Sequence, residues 1–377
     1  MSVSAGPARL LLFTGKGGVG KTTLAAATAA RLAVGGHKVL VTSADPAHSL
    51  GDVFGVPVAA EPSEVDTCLY ASHVDARGLA DRSWQAIRRE VRGFFPGLSD
   101  VDAAELTVLP GVDELLALTE VARLAAAGPW EVVVVDCGPT AETLRLLALP
   151  EAVGGYLTRL SLGRHVSGLA RHVAELRDVL VDPARTSVRL VLTPERMVVA
   201  ETRRTLAALA LRGIQVDSLI ANRLVPPAKR WQGPAASWLR TRRAEQEAVL
   251  SELDVSMTLP MRRVEHLAAE PVGVPALLGL AEDLYGEDDP HPLGTAGPYA
   301  PPLFSVRSVK GGYELTVALP LTGESTVDLA RVGDELAITV DGVRRLVALP
   351  VLLRRHHVTD AATGPGGLVL RFEGGLP

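Results

Sequence analysis

Eight residues, Gly15-Lys16-Gly17-Gly18-Val19-Gly20-Lys21-Thr22, constrain this chain more than any other stretch. They satisfy the spacing G-x-x-x-x-G-K-[ST] and stand between an apolar run, Leu10–Thr14, and a helix-length segment, Thr22–Val34. Glycines at these positions let backbone N–H groups approach an anion with no Cβ in the way. The helix start adds unpaired N–H donors and a favourable dipole. Lys21 is placed to reach terminal phosphates, and the Thr22 hydroxyl to bind Mg2+. The spacing therefore predicts a strand, a phosphate-cradling loop and a helix, in that order.

The rest of the first ~285 residues continues the alternation. Strand candidates are Leu10–Thr14, Val39–Ser43, Val132–Asp136, Val188–Thr193, Leu219–Asn222 and Val255–Leu259. The first three are rich in Val and Leu with no polar alternation, as parallel strands covered on both faces require. Helical segments such as Thr22–Val34 and Glu114–Ala127 lie between them. This is the pattern of an α/β, doubly wound, mostly parallel sheet. The composition changes at 286–302, where Pro290, Pro292, Pro298, Pro301 and Pro302 with Gly294 and Gly297 read as a linker. After it the apolar period becomes two, in Tyr313–Leu319, Leu336–Val340 and Leu368–Phe372, with Lys310-Gly311-Gly312 and Asp341-Gly342 as turns. Residues 303–377 thus read as a small antiparallel β-sandwich. The expected organisation is an ATPase-like domain over 1–285, with helical insertions at about 82–125 and 151–180, then the linker, then the sandwich.

Composition excludes several classes. A chain of 377 residues with 47% hydrophobic and 21% charged residues can build packed cores. Its net charge of −5 argues against a nucleic-acid partner. Two cysteines, Cys68 and Cys137, cannot make a disulfide scaffold or a four-cysteine metal site within one chain. The longest stretch without a charged residue, Pro290–Val306, carries five prolines and is no membrane span. Residues 1–9 show no secretory pattern, so a cytoplasmic location is expected, with at most transient membrane association.

Two strands end in carboxylates. Val132–Val135 leads into Asp136, the position of a residue that holds a Mg2+-bound water beside a phosphate. Val39–Ala44 leads into Asp45, the best candidate to orient or deprotonate an attacking water. Asp52 reads equally well as a turn or helix-cap carboxylate. His48 fits a local hydrogen-bonding role better than catalysis. Lys16, a second lysine at the loop start, marks the deviant Walker A class; its ordinary alternative is a solvated loop residue.

Taken together, these residues resemble a known family. Gly15–Thr23, Asp45-Pro46-Ala47-His48-Ser49-Leu50 and Asp136–Leu147 resemble the P-loop, switch I and switch II of the ArsA-like family of arsenite-pump and tail-anchored-protein targeting ATPases. Pro110–Glu114, Pro194–Thr205 and Leu219–Arg223 add to the likeness, which covers most of residues 8–285. The resemblance implies a homodimeric, Mg-dependent ATPase. In it Gly15, Gly17, Gly18, Val19, Gly20, Lys21, Thr22 and Thr23 hold the phosphates, with Thr22 and Asp136 at the metal. Lys16 acts across the dimer interface, Asp45 prepares water, Asn222 contacts adenine and Glu195 lies near the nucleotide. The last segment resembles the small-heat-shock-protein-like (α-crystallin-like) domain fused to some members, through Gly333–Leu336 and Gly366–Phe372.

Departures from the family narrow the function. Val225–Leu239 contains no cysteine, so the zinc of eukaryotic targeting members is not expected. Cys68 and Cys137 lack a recognised iron–sulfur context, and no such cluster is expected. The switch II Gly-His is Ala141-Glu142 here. A client groove would use the helices Arg82–Phe95, Val101–Leu109 and Gly155–Leu180; ordinary core packing explains the last one equally simply. The leading expectation is an ATP-switched homodimer that handles hydrophobic polypeptides. The alternatives are an arsenite-type anion-transport ATPase and a ParA/MinD-like positioning ATPase.

Overall fold

A computed structural model describes residues 8–45, 49–75, 112–138, 166–228, 233–256, 259–290, 304–319, 321, 325–364 and 367–374. The chain divides into two compact units, Met1–Val191 with Leu267–Gly294, and Leu192–His266 with Thr295–Pro377.

In the first unit, β1 (Arg9–Thr14) leads through the glycine loop into α1 (Lys21–Val34). Then come β2 (Val39–Ser43), α2 (Leu50–Phe54), β3 (Ser63–Asp66), β4 (Leu69–His73), α3 (Val112–Ala127), β5 (Val132–Asp136), α4 (Val166–Val181) and β6 (Thr186–Leu192). The strand order is β3-β4-β2-β5-β1-β6. Every pair is parallel except β3 with β4 at the edge. Every residue of β2 and β5 is buried, as their unbroken Val/Leu runs demand. α1 is alanine-rich, which lets it approach the sheet closely, and it packs against the returning helix Val274–Tyr285. Thr28 Oγ1 and the Tyr285 hydroxyl lie 2.7 Å apart, and buried Arg189 donates to that hydroxyl (2.8 Å) and to the Pro290 carbonyl (2.6 Å). The register sets Phe13 beside Asp136 and Asp136 beside Ser43, so three parallel strands end together. That carboxyl edge is where open α/β sheets bind ligands.

The second unit opens with α5 (Arg196–Leu211), β7 (Val216–Leu224), α6 (Gly233–Ser256) and β8 (Met261–Glu265), with β7 and β8 parallel. It continues with β9 (Phe304–Val309), β10 (Gly312–Val317), β11 (Val327–Val332), β12 (Glu335–Val340), β13 (Val343–Ala348), β14 (His356–Gly364) and β15 (Gly367–Gly374). These form a four-stranded sheet, β14-β15-β10-β9, and a three-stranded one, β11-β12-β13. The period-two residues meet in one core, with Leu315, Ile338, Val340, Leu370 and Phe372 fully buried. Ala207 and Leu211 of α5 belong to that same core. At the β12–β13 turn, Asp341 (φ 49°) and Gly342 (φ 83°) are both left-handed, as a two-residue hairpin turn prefers.

The fold class expected from the sequence is the one found: a mostly parallel α/β sheet followed by antiparallel β-structure. One strand needs correction. The strand expected at Val255–Leu259 is displaced: Val255 and Ser256 belong to α6, and the strand is Met261–Glu265. Val249, Leu250 and Leu253 are buried at helical spacing, the stripe of a helix and not of a strand. Pro260 then precedes the strand, its carbonyl accepting from Leu219 N (3.0 Å). β3 and β4 give little sequence signal, being short, with Ser72 and Ala71 buried in place of large apolar residues. The expected helices Arg82–Phe95 and Val101–Leu109, the start of Gly155–Leu180, Pro46–His48, Pro139–Leu147 and most of the linker lie outside the described residues.

Candidate functional site

The site is built where β1, β2 and β5 end. β1 delivers Gly15 against β6, and a Cβ at Gly15 would stand 2.1 Å from the Val191 carbonyl oxygen. Only glycine fits there. Gly20 takes φ 95°, and α1 starts at the next residue, so the loop turns directly into the helix N-terminus. Lys21 is buried at 6% exposure, and its Nζ donates to the Lys16 carbonyl at 3.3 Å. The ammonium is thereby stored against the loop that it would leave to meet a phosphate. Lys16, Gly17 and Gly18 are exposed on the outer side of the loop, while Val19 is buried beneath it.

Asp136 is the centre of the site. It is completely buried. Its Oδ2 accepts from Thr22 Oγ1 (2.7 Å) and from Ser43 Oγ (3.2 Å). Ser43 Oγ accepts in turn from the Asp45 backbone N–H (3.2 Å), and Thr22 Oγ1 accepts from Ser49 Oγ (3.2 Å). An ionised carboxylate only accepts, so every proton in this chain points inward and the bonds reinforce one another. Ala44 N donates to the Asp136 carbonyl (2.9 Å), tying β2's end to β5's. Burial, partly offset by the Thr22 hydrogen bond and the Lys21 charge, pushes the Asp136 carboxyl up to about 6.

Asp136 Oδ1 has no hydrogen-bond partner among the described residues. An orphaned carboxylate oxygen beside two hydroxyls is a set of hard oxygen donors, and Mg2+ fits it. Mg2+ usually takes one or two protein oxygens and completes its shell with water and phosphate. No group of three or more His, Cys, Asp or Glu side chains is gathered among the described residues. Cys137, next to Asp136, is buried and its thiol is pushed up to about 12, first by burial and then by the Asp136 charge. At neutral pH it stays protonated and offers no thiolate.

The structure therefore gathers Gly15 to Thr22, Ser43, Asp45, Ser49 and Asp136 in the first unit, with Thr23 on the first turn of α1. Ser43 and Ser49 were not among the residues singled out from sequence; the available signal was a hydroxyl closing strand β2 and another four residues beyond Asp45. Glu195 and Asn222 belong to the second unit. Glu195 precedes α5, is exposed, and pairs with Arg242 at 3.6 Å. Asn222 stands near the end of β7, its Oδ1 accepting from Arg223 N at 2.9 Å.

A glycine loop closing onto a helix, a stored lysine and a buried carboxylate beside a threonine hydroxyl define a P-loop nucleotide triphosphatase. Comparison with known proteins gives the family. The sequence matches the anion-transporting ATPase (ArsA) family over residues 8–176 and 164–286, and an HSP20-like domain found in ArsA over 310–372. A Mycobacterium tuberculosis protein, Rv2184c, is 39% identical over 413 residues, covering 99% of this chain and 98% of its own length. A putative arsenical pump-driving ATPase of Chlorobaculum tepidum is 34% identical, over 97% and 96% of the two chains. An ATPase ASNA1 homolog of Dictyostelium discoideum is 30% identical, over 73% of this chain and 89% of its own. The chain belongs to the ArsA ATPase family and is an ATPase with an HSP20-like C-terminal domain.

The raised Asp136 gives a pH test. A carboxyl at about 6 in the fold and near 3.8 when free destabilises the free protein once ionised, by about 2–3 kcal/mol above pH 6. That stability returns as the pH falls through 6 toward 4. Asp136→Asn is therefore expected to raise the melting temperature of nucleotide-free protein at pH 8 and to abolish Mg-dependent ATP binding. Calorimetric titration with Mg·ATP in two buffers of different ionisation enthalpy should find proton release below pH 6 and almost none at pH 8.

Proposed function

We propose that the protein is an ATP-switched homodimer that handles a hydrophobic polypeptide, working in the cytoplasm with at most transient membrane contact. The observation that carries the switch is the hydrogen-bonded run from Thr22 through Asp136 and Ser43 to Asp45. It connects the position for Mg2+ to the carboxylate proposed to orient the attacking water. In this reading Lys21 and the loop N–H groups hold the phosphates. Thr22 and Asp136 flank the metal, and Mg2+ would neutralise developing phosphate charge. Asp45 prepares the water. In this reading, loss of the γ-phosphate lets the switch relax and the two subunits part.

Lys16 is assigned to the nucleotide of the facing subunit. Its exposure on the outer side of the loop supports this, since such a side chain can reach outward. Asn222 is assigned to adenine, and Glu195 to the nucleotide's surroundings. For the client, support comes from the HSP20-like domain, on which Val332, Leu346, Val351 and Leu352 are exposed. Leu176 and Leu180 of α4 are buried, so that end of the expected groove helix serves the core. The name of the Chlorobaculum tepidum relative also suggests an arsenical-pump reading. The chain has two cysteines, Cys68 and the buried Cys137, too few for the cysteine cluster that such a site uses.

The dimer is tested by mixing. Lys16→Ala and Asp45→Asn are each expected to be inactive alone. Mixed with confirmed subunit exchange, they should recover partial ATPase activity, because one composite site is then complete. No recovery would remove the trans lysine. The client is tested with a synthetic apolar helix of about 20 residues. Asp45→Asn should keep it soluble and co-elute with it in Mg·ATP but not in Mg·ADP; nucleotide-independent binding, or none, would remove the client role.

A further inference from the structure

β7 carries a defect that needs support. Its pairing with β8 is regular to Ala221 and resumes only at Leu224, so Asn222 and Arg223 bulge out of the ladder. Arg223 takes φ 61°, a left-handed conformation that disfavours a side chain of its kind. Within the kink, the Asn222 side chain accepts from Arg223 N.

The support comes from α6. Gln246 is 4% exposed on a helix otherwise rich in charged residues. Its Oε1 accepts from Val225 N (2.8 Å) and its Nε2 donates to the Arg223 carbonyl (3.3 Å). Only one orientation of the amide satisfies both, because one partner is a donor and the other an acceptor. Arg243, three residues earlier on the helix, donates to the Val225 carbonyl (2.6 Å). Arg243 is itself held by Glu247 (2.9 Å) and by Glu265 of β8 (3.0 Å), and Arg263 of β8 grips Glu247 (2.7 Å). His266 N closes the far side on the Leu224 carbonyl (2.7 Å). A buried amide is costly unless fully bonded, and here both bonds go to the backbone immediately after Asn222. A residue needed only for packing would gain nothing from that polarity.

We propose that Gln246 is a positioning residue for purine selection: it fixes the bulge that presents the Asn222 amide to the nucleotide base. The proposal rests on the reading that Asn222 contacts adenine. An Asn amide offers one donor and one acceptor, and it distinguishes adenine from guanine only if its rotation is set from outside. The bulge sets it.

The test uses the full chain and compares ATP with GTP as substrates. Gln246→Leu keeps the volume and removes both bonds; it is expected to raise KM for ATP roughly tenfold with kcat changed less than about twofold. The ATP-over-GTP preference should fall by a similar factor. Gln246→Glu, which still accepts from Val225 N but opposes the Arg223 carbonyl, should fall between, and carries the test if Gln246→Leu fails to fold. Unchanged KM and preference in a folded variant would overturn the proposal. So would a loss of kcat and melting temperature with the preference intact, the mark of a merely structural role. Asn222→Ala separates the two claims. If it lowers the preference and Gln246→Leu does not, only the role of Gln246 falls. If Asn222→Ala leaves the preference unchanged, the adenine contact falls and this proposal with it.

Discussion

One buried carboxylate organises the carboxyl edge of the parallel sheet. Asp136 is placed by an all-apolar strand in the middle of the sheet, so it has no access to water and must be satisfied by its neighbours. Thr22 and Ser43 supply one oxygen; the other has no partner among the described residues. Burial lifts the carboxyl to about 6, against the lowering effect of the Thr22 hydrogen bond and the Lys21 charge, and a cation at this point would recover that energy. The site is thus less stable than a fully paired core would be, a common property of binding sites. The same carboxylate reaches both the first turn of α1 and the end of β2.

The second unit is arranged around backbone support of a different kind. α5 begins beside Glu195 and ends with Ala207 and Leu211 in the core of the β-sandwich. The HSP20-like domain is therefore packed onto an ATPase helix instead of standing apart from it. α6 supplies the clamp on β7 through Gln246 and Arg243. The end of β7 that carries Asn222 is thus fixed by side chains of the following helix.

Much of this was legible in the sequence for simple reasons. The glycine loop permits one local geometry, the Val132–Asp136 run can only be a buried strand, and the alternation at Leu336–Val340 can only be half-buried β. The boundary at Val255 was misread because a short apolar run fits a helix end as well as a strand, and Pro260 decided the matter. Ser43 and Ser49 escaped notice because single hydroxyls carry no pattern; only the strand register places Ser43 against Asp136. Gln246 was invisible in Arg-Thr-Arg-Arg-Ala-Glu-Gln-Glu, where an amide looks like part of a solvated face. Its burial depends on a contact with β7 more than 20 residues away, which no local periodicity encodes.

The central claim is that Ser43 passes the state of the Asp136–Thr22 site to the segment that follows β2. Hydrogen exchange over residues 43–52 tests this most directly, in wild type and in Ser43→Ala, each with Mg and a non-hydrolysable ATP analogue or with Mg·ADP. The account expects strong analogue-dependent protection in wild type and its loss in Ser43→Ala, with analogue binding retained. Equal protection in the two proteins, at equal occupancy, would contradict it.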